Sequence, residues 1–229
     1  MTSFNFTIAA CLLLLIPSCA SKFTAAQREA LSTIAIAPTV VNHDAYAEPY
    51  GGNRESAGQA GMVGVTSQTG AIGGLVGSLV GETIAATQDN LFRGKSKGCF
   101  GAVQANTPQV GPALNTKLTQ GVKAIPFFAA KVRAISPNQI TSKITSYRLV
   151  RNGKNKDGEL LFVPQIIVEM GLNDATGKSL AKGMFVGSGY QNPISVYASS
   201  AAKSKEGYDF AAQIAVDQFT SVLERKASN

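Results

Sequence analysis

Residues Leu160–Ser188 read LLFVPQIIVEMGLNDATGKSLAKGMFVGS, and this stretch decides the fold. From Leu160 to Leu172 the run is long, apolar and rich in β-branched residues, which predicts a strand. Pro164 within it cannot donate to a ladder, so it demands an edge or a bulge. Asn173-Asp174-Ala175-Thr176-Gly177 is turn chemistry. Ser179–Ser188 then returns as the antiparallel partner.

Working upstream, Ile140 to Arg151 sets Ile144, Ser146, Arg148 and Val150 against Thr145, Tyr147 and Leu149, a second strand, with Asn152-Gly153 as its turn. Pro112-Ala113-Leu114 opens a helix whose Leu114, Leu118 and Val122 form a buried stripe at i, i+4, i+8. Ser32-Thr33-Ile34-Ala35-Ile36-Ala37-Pro38 reads as a first strand ended by proline. Downstream, Tyr208 to Lys226 is an amphipathic helix with Ala211, Ala215, Phe219 and Val222 inward, flanked by Ile214 and Leu223. Arg225-Lys226 at its end suits the helix dipole. This order predicts an α+β fold: an antiparallel sheet with helices packed on one face.

One segment stands apart. Ser56 to Gly81 has no charged side chain and carries eight glycines. Three of these, Gly73, Gly77 and Gly81, recur at the four-residue spacing that stacks positions on one helix face. Bare glycines there would admit another backbone closely, as in membrane glycine motifs. Each glycine also weakens a helix by ~1 kcal/mol relative to alanine. Three readings stay open: a helix packed within the chain, a loop, or a glycine zipper in a membrane or between subunits. The Gly-rich, largely uncharged insertion spans about residues 56–94.

The amino terminus gives an address. Residues 1–18 carry no charged side chain, and Ile8–Ile16 is unbroken apolar sequence. At ~1.5 Å per residue this run spans roughly half of a ~30 Å hydrocarbon core, too short to cross a membrane but suited to an export signal. Ile16-Pro17-Ser18-Cys19 resembles the lipobox of bacterial lipoproteins, which implies acylation of Cys19. Ala20 after the cysteine implies sorting to the outer membrane, facing the periplasm. The alternative is an ordinary signal cut after Ala20, with Cys19 discarded. The expected organisation is a signal over 1–18, a lipidated tether over 19–31, and one periplasmic domain over 32–229.

The net charge of +7 falls entirely after residue 18. Lys95, Lys97, Lys117, Lys123, Lys131, Arg133, Arg148 and Arg151 are scattered without interleaved aromatics, which predicts no nucleic-acid partner. Lipid headgroups, lipopolysaccharide or cell-wall polymer are the acidic partners expected of an exported chain. Of three cysteines, Cys11 leaves with the signal and Cys19 carries lipid. Cys99 remains alone, read as a small buried hydrophobe or an intermolecular disulfide.

Catalytic patterns fail in context. Gly94-Lys95-Ser96-Lys97-Gly98 fits G-x-S-x-G, but no apolar strand leads into it, and the single histidine, His43, precedes rather than follows the serine. One histidine cannot build an ordinary zinc site. Glu169 and Asp174 are expected to face solvent rather than pair. No enzyme, metal or cofactor is predicted.

Thr33–Pro38 after the tether, the hairpin at Asp174–Gly177 and the closing helix resemble the periplasmic domain of curli-secretion-channel and related envelope-assembly lipoproteins. That resemblance implies a ring-forming, outer-membrane-associated assembly protein. Those families insert β-hairpins, whereas the glycine spacing here is helical. The leading expectation is a non-enzymatic lipoprotein that anchors or scaffolds an envelope assembly with itself or other envelope proteins. The alternatives are a membrane-inserting oligomer built through the glycine segment, and a periplasmic binding module for an acidic polymer or lipid.

Overall fold

The computed structural model describes residues 21–49 and 98–228. Cys19, the glycines Gly73, Gly77 and Gly81, Lys95, Ser96 and Lys97 all lie outside the described residues. The first described segment holds helix α1 (Ala25–Ala30) and the short strands β1 (Ala35–Ile36) and β2 (Val40–Val41). After it come helix α2 (residues 98–106), α3 (Val110–Ala124), α4 (Pro126–Ala129) and strands β3 (Gln139–Lys154), β4 (Leu160–Asn173) and β5 (Ser179–Ser188). Strand β6 (Asn192–Pro193) and helices α5 (Ile194–Ser199) and α6 (Ala201–Ala227) close the chain.

The fold is α+β with a mostly antiparallel sheet, in the order β1-β3-β4-β5, with β2 also on β3 and β6 also on β4. Its two short strands β1 and β2 run parallel to β3, a pairing that the alternation within residues 32–38 does not reveal. Helix α6 lies across β4 and β5, and α3 packs on α6. The stripe Leu114, Leu118 and Val122 is fully buried, as its spacing predicts.

Three local details correct the sequence-based expectations. The turn after β3 is at 155–158 rather than Asn152-Gly153: Asn155 Oδ1 accepts from the Asp157 and Glu159 N–H groups, and Gly158 adopts φ +79°. Gly153, at φ +89°, instead sits in a register shift between Arg151 and Lys154, the left-handed geometry that a bulge asks of glycine. A second shift leaves Thr145 unpaired between Ile144 and Ser146. It moves the core face from Ile140 and Ile144 to Tyr147 and Leu149, because one extra residue reverses the two-residue alternation.

Contrary to the expected edge or bulge, Pro164 occurs in an inner strand, opposite Leu149 of β3 on one side and at the point where β5 gives way to β6 on the other. Its carbonyl accepts from Gly189 N–H at 2.7 Å just past the end of β5, and β6 resumes pairing only at Leu161 and Phe162. Pro164 stands opposite Gly189 and accepts from it but cannot return the bond, so the ladder to β5 stops there and the missing N–H falls where β5 gives way to β6. The final helix begins at Ala201, earlier than its apolar face suggests, with Ser200 accepting from Lys203 N–H at 3.2 Å as its cap. Leu223 is buried and Val222 only half-buried, so those two exchange their expected places.

Glycines that admit close packing stand on the sheet–helix interface. A Cβ on Gly187 would lie 1.8 Å from the Ala211 carbonyl oxygen, and one on Gly189 would lie 2.1 Å from that of Gly207. Bare backbone here lets α6 settle directly on β5.

Candidate functional site

The amino-terminal residues are docked rather than trailing. Residues 21–31 fall within the expected tether, yet Phe23 is 5% exposed and Leu31 fully buried. Phe23 N–H donates to Lys226 O at 2.9 Å, and Arg28 Nη1 donates to Ala227 O at 2.6 Å. Helix α1 holds this arrangement through a reciprocal cap in which Thr24 and Gln27 exchange side-chain and backbone bonds at 2.9 and 3.2 Å. The start of the domain is thereby clamped to the carboxyl end of α6.

Around the clamp lies a pole of aromatic and basic side chains. Phe23, Phe127 and Phe128 form a cluster with centroids 4.8 to 6.3 Å apart. Lys131 Nζ stands 3.4 Å from the Phe127 centroid and the Arg28 guanidinium 4.8 Å from it, both within cation–π range. Lys226 Nζ donates to Ser21 O at 3.1 Å. Partial burial, aided by the Arg28 charge, holds the Lys131 ammonium below its ordinary range. The cleft at this pole, about 330 Å³, is lined by Arg28, Ile125, Pro126, Phe127, Glu224 and Ala227.

A second feature is a tyrosine cluster between β3, α5 and α6. Tyr46 and Tyr147 pair as an isolated parallel bridge with rings 5.5 Å apart, and Tyr147 meets Tyr208 edge-on at 6.1 Å. The Tyr46 and Tyr208 hydroxyls are buried without a hydrogen-bond partner. Burial raises the phenols of Tyr46, Tyr147 and Tyr197, and pushes Tyr208 well above its ordinary 10.0. A raised phenol means that the fold favours the protonated form. Its contribution is fully present below pH 10 and is lost as pH rises from there toward the folded-state value. Tyr208 alone then steepens alkaline loss of stability by up to ~1.4 kcal/mol per pH unit. Tyr208→Phe is expected to flatten that slope, because the ionisable hydroxyl is gone. Chemical denaturation across the alkaline range checks this, and an unchanged slope contradicts it.

The third is an open cleft of about 440 Å³ beside Tyr190 and Phe210, whose rings stack at 4.3 Å. Its charged lining is Lys117, Lys205, Glu206 and Asp209, with Lys205 paired to Asp209. Two cations and two acids do not make the basic concave surface that an acidic polymer would require.

The remaining polar residues singled out in the sequence are dispersed. His43 is 99% exposed and pairs only with its neighbour Asp44 at 2.8 Å. Glu169 binds Lys182 at 2.6 Å across β4 and β5. Asp174 Oδ1 accepts from the Thr176 hydroxyl and from the N–H groups of Thr176 and Lys178; these bonds, the Thr176 hydroxyl foremost, hold its carboxyl below the ordinary range. Cys99 is free and half-buried, less enclosed than expected. Among the described residues, no group of three His, Cys, Asp or Glu could hold a metal ion, and no helix is long and apolar enough to cross a membrane.

Sequence reasoning missed the basic aromatic pole. Its one local sign is Pro126-Phe127-Phe128 followed by Lys131-Val132-Arg133. Phe23 and Lys226, the ends that it joins, are about two hundred residues apart.

No family model matches the chain, and no curated protein matches it. Among solved structures it is similar to a Xanthomonas campestris protein of family DUF330, 13% identical over 84% of this chain and 81% of that one, at a TM-score of 0.35. A PelC dodecamer from Paraburkholderia phytofirmans is 19% identical over 45% of this chain and 76% of that one, at 0.28. A minor lipoprotein from Acinetobacter baumannii is 12% identical over 52% of this chain and 84% of that one, at 0.33. All three are distant likenesses to bacterial proteins.

Proposed function

We propose that this chain is a lipid-anchored protein of the bacterial cell envelope, held at the outer membrane and facing the periplasm, which scaffolds an assembly without catalysing a reaction. The observation that carries the reading is the short distance between anchor and domain. Ile16-Pro17-Ser18-Cys19 follows an export-type apolar run, and Phe23, four residues later, is already locked into the core. Such a domain is fixed at its membrane rather than ranging from it on a long leash. The non-catalytic part of the reading is supported by how the described polar groups are used: Glu169 and Lys182 in a cross-strand pair, Asp174 in a turn, His43 at the surface.

The test is Cys19→Ala. The wild type is expected to incorporate labelled palmitate and to stay with membranes on fractionation, extracted only by detergent. The variant is expected to lose the label and a large share of the membrane-bound protein. An unlabelled wild type would overturn the anchor.

A further inference from the structure

We infer that the loop from Lys131 to Pro137, together with Phe127, Arg28 and Lys226, is a membrane-contacting surface that seats on anionic lipid headgroups, with Ile135 entering the lipid. The inference rests on the lipid-anchor reading and specifies which face of the domain meets the membrane.

The first argument is reach. Four residues of fully extended chain span at most ~14 Å, so an acylated Cys19 lies within that distance of Phe23 whatever path the chain takes. Phe23 is buried at the pole and bonded to the last turn of α6. The pole therefore stands next to the membrane surface as soon as the lipid is inserted.

The second argument is the chemistry of that pole. Lys131 and Arg28 lie over the Phe127 ring, and Lys226 is bonded to Ser21. Arg133 is exposed on the same loop. One acid, Glu224, lines the same cleft as Arg28 and Phe127, and Glu29 follows Arg28 on α1, so cations outnumber acids at this pole. A basic surface beside an acyl anchor adds headgroup attraction to chain insertion and so fixes which face of the domain meets the membrane.

The third argument is Ile135. It is 90% exposed, far more than any other large hydrophobic side chain among the described residues. A lone exposed isoleucine is ordinary on a protein surface. This one is held out by a braced loop. Ser136 is 6% exposed, with its hydroxyl 2.9 Å from that of Thr33, and the Asn138 amide donates to Ala30 O and Thr33 O at 3.0 and 2.8 Å. Lys131 O and Arg133 N–H bond the two sides of Ile34. The loop is thus tied to the segment that leads from the anchor, and two cations, Lys131 and Arg133, precede its apolar tip in the same loop. Headgroup-level cations with one apolar side chain projecting beyond them suit the boundary between headgroups and acyl chains.

The chain has no tryptophan, so Ile135→Trp supplies a single fluorophore. Phe210→Trp serves as the control, sixteen residues and about 24 Å before Lys226 along α6. Each acylated full-length variant is extracted in detergent and reconstituted into phosphatidylethanolamine–phosphatidylglycerol vesicles, with plain or brominated acyl chains. Ile135→Trp is expected to emit at shorter wavelength than in detergent-free solution and to be quenched by brominated lipid, whereas Phe210→Trp is not. In the non-acylated Cys19→Ala background, Lys131→Glu is expected to weaken co-sedimentation with the same vesicles by about fivefold or more, the effect of ~1 kcal/mol per basic residue at an anionic surface. Equal quenching at the two positions in acylated protein, or phosphatidylcholine vesicles binding the non-acylated protein as well as anionic ones, would overturn the surface and leave the anchor standing. Missing palmitate with Ile135→Trp still quenched would do the reverse.

Discussion

Gly187→Ala is expected to be the most damaging single-methyl change in the described part of this protein. The added carbon would sit 1.8 Å from the Ala211 carbonyl oxygen, 2.7 Å from its carbonyl carbon and 3.2 Å from Ala215 N. All three are backbone atoms, so no side chain can swing aside. Helix α6 must lift from β5, and that movement disturbs Phe185, Ala211, Ala215 and Phe219 together. Overpacking of this kind destabilises by about 1–3 kcal/mol and occasionally more, and the backbone clash places Gly187 at the upper end. For a domain of this size each kcal/mol lowers Tm by roughly 2–4 °C, so a drop on the order of 10 °C is expected in a thermal melt. Gly101→Ala is the matched control: it lies in helix α2 with nothing within 4 Å of the new carbon. There alanine should stabilise by up to ~1 kcal/mol through helix propensity. Equal melting temperatures for the two variants would mean that α6 does not rest on β5 at the distance described.

Phe219→Ala is the second large effect. The ring is fully buried and meets Phe185 edge-on at 5.4 Å, at the centre of the contact between α6 and the sheet. Removing it leaves a cavity that the surrounding elements cannot fill, because α3 on one side and β5 on the other are themselves held by close packing. Gly121 on α3 would bring a Cβ to 3.0 Å from Thr220 and Val216. Truncations of buried aromatic residues lose ~3–5 kcal/mol, so this variant is expected to approach the limit of folding at growth temperature. Val222→Ala, three residues along on the half-buried side, should lose roughly 1 kcal/mol. Urea titration of the two variants separates them by midpoint with unchanged slope. Similar midpoints would place Phe219 outside the core.

Both variants act at the surface between α6 and the sheet, the frame that also carries the aromatic and basic pole. Phe23 and Arg28 bond the last turn of the same helix. Loosening α6 should therefore disturb the seat of the amino terminus as well as the core.

What the amino-acid sequence determined by itself is what depends on neighbours a few residues apart. The β-branched run from Leu160 to Leu172, the Asp174–Gly177 turn and the return from Ser179 are local signals, and the structure realises each of them. The stripe Leu114, Leu118 and Val122 is likewise a matter of period. Pro164 called for an edge or a bulge because proline lacks a donor, whereas the structure sets it in an inner strand where one partner strand gives way to the next. Other features were decided only by tertiary structure, since they join residues far apart in the chain. The parallel seating of β1 and β2 on β3 is one, and the bulge at Thr145 that exchanges the faces of β3 is another. The clamp of Phe23 onto Lys226 is a third. Glycine shows the division most plainly: Gly187, Gly189 and Gly207 admit close packing without any local pattern that marks them. Backbones meet there because the sheet and the helix arrive at the same place, and no periodicity within either element encodes that approach.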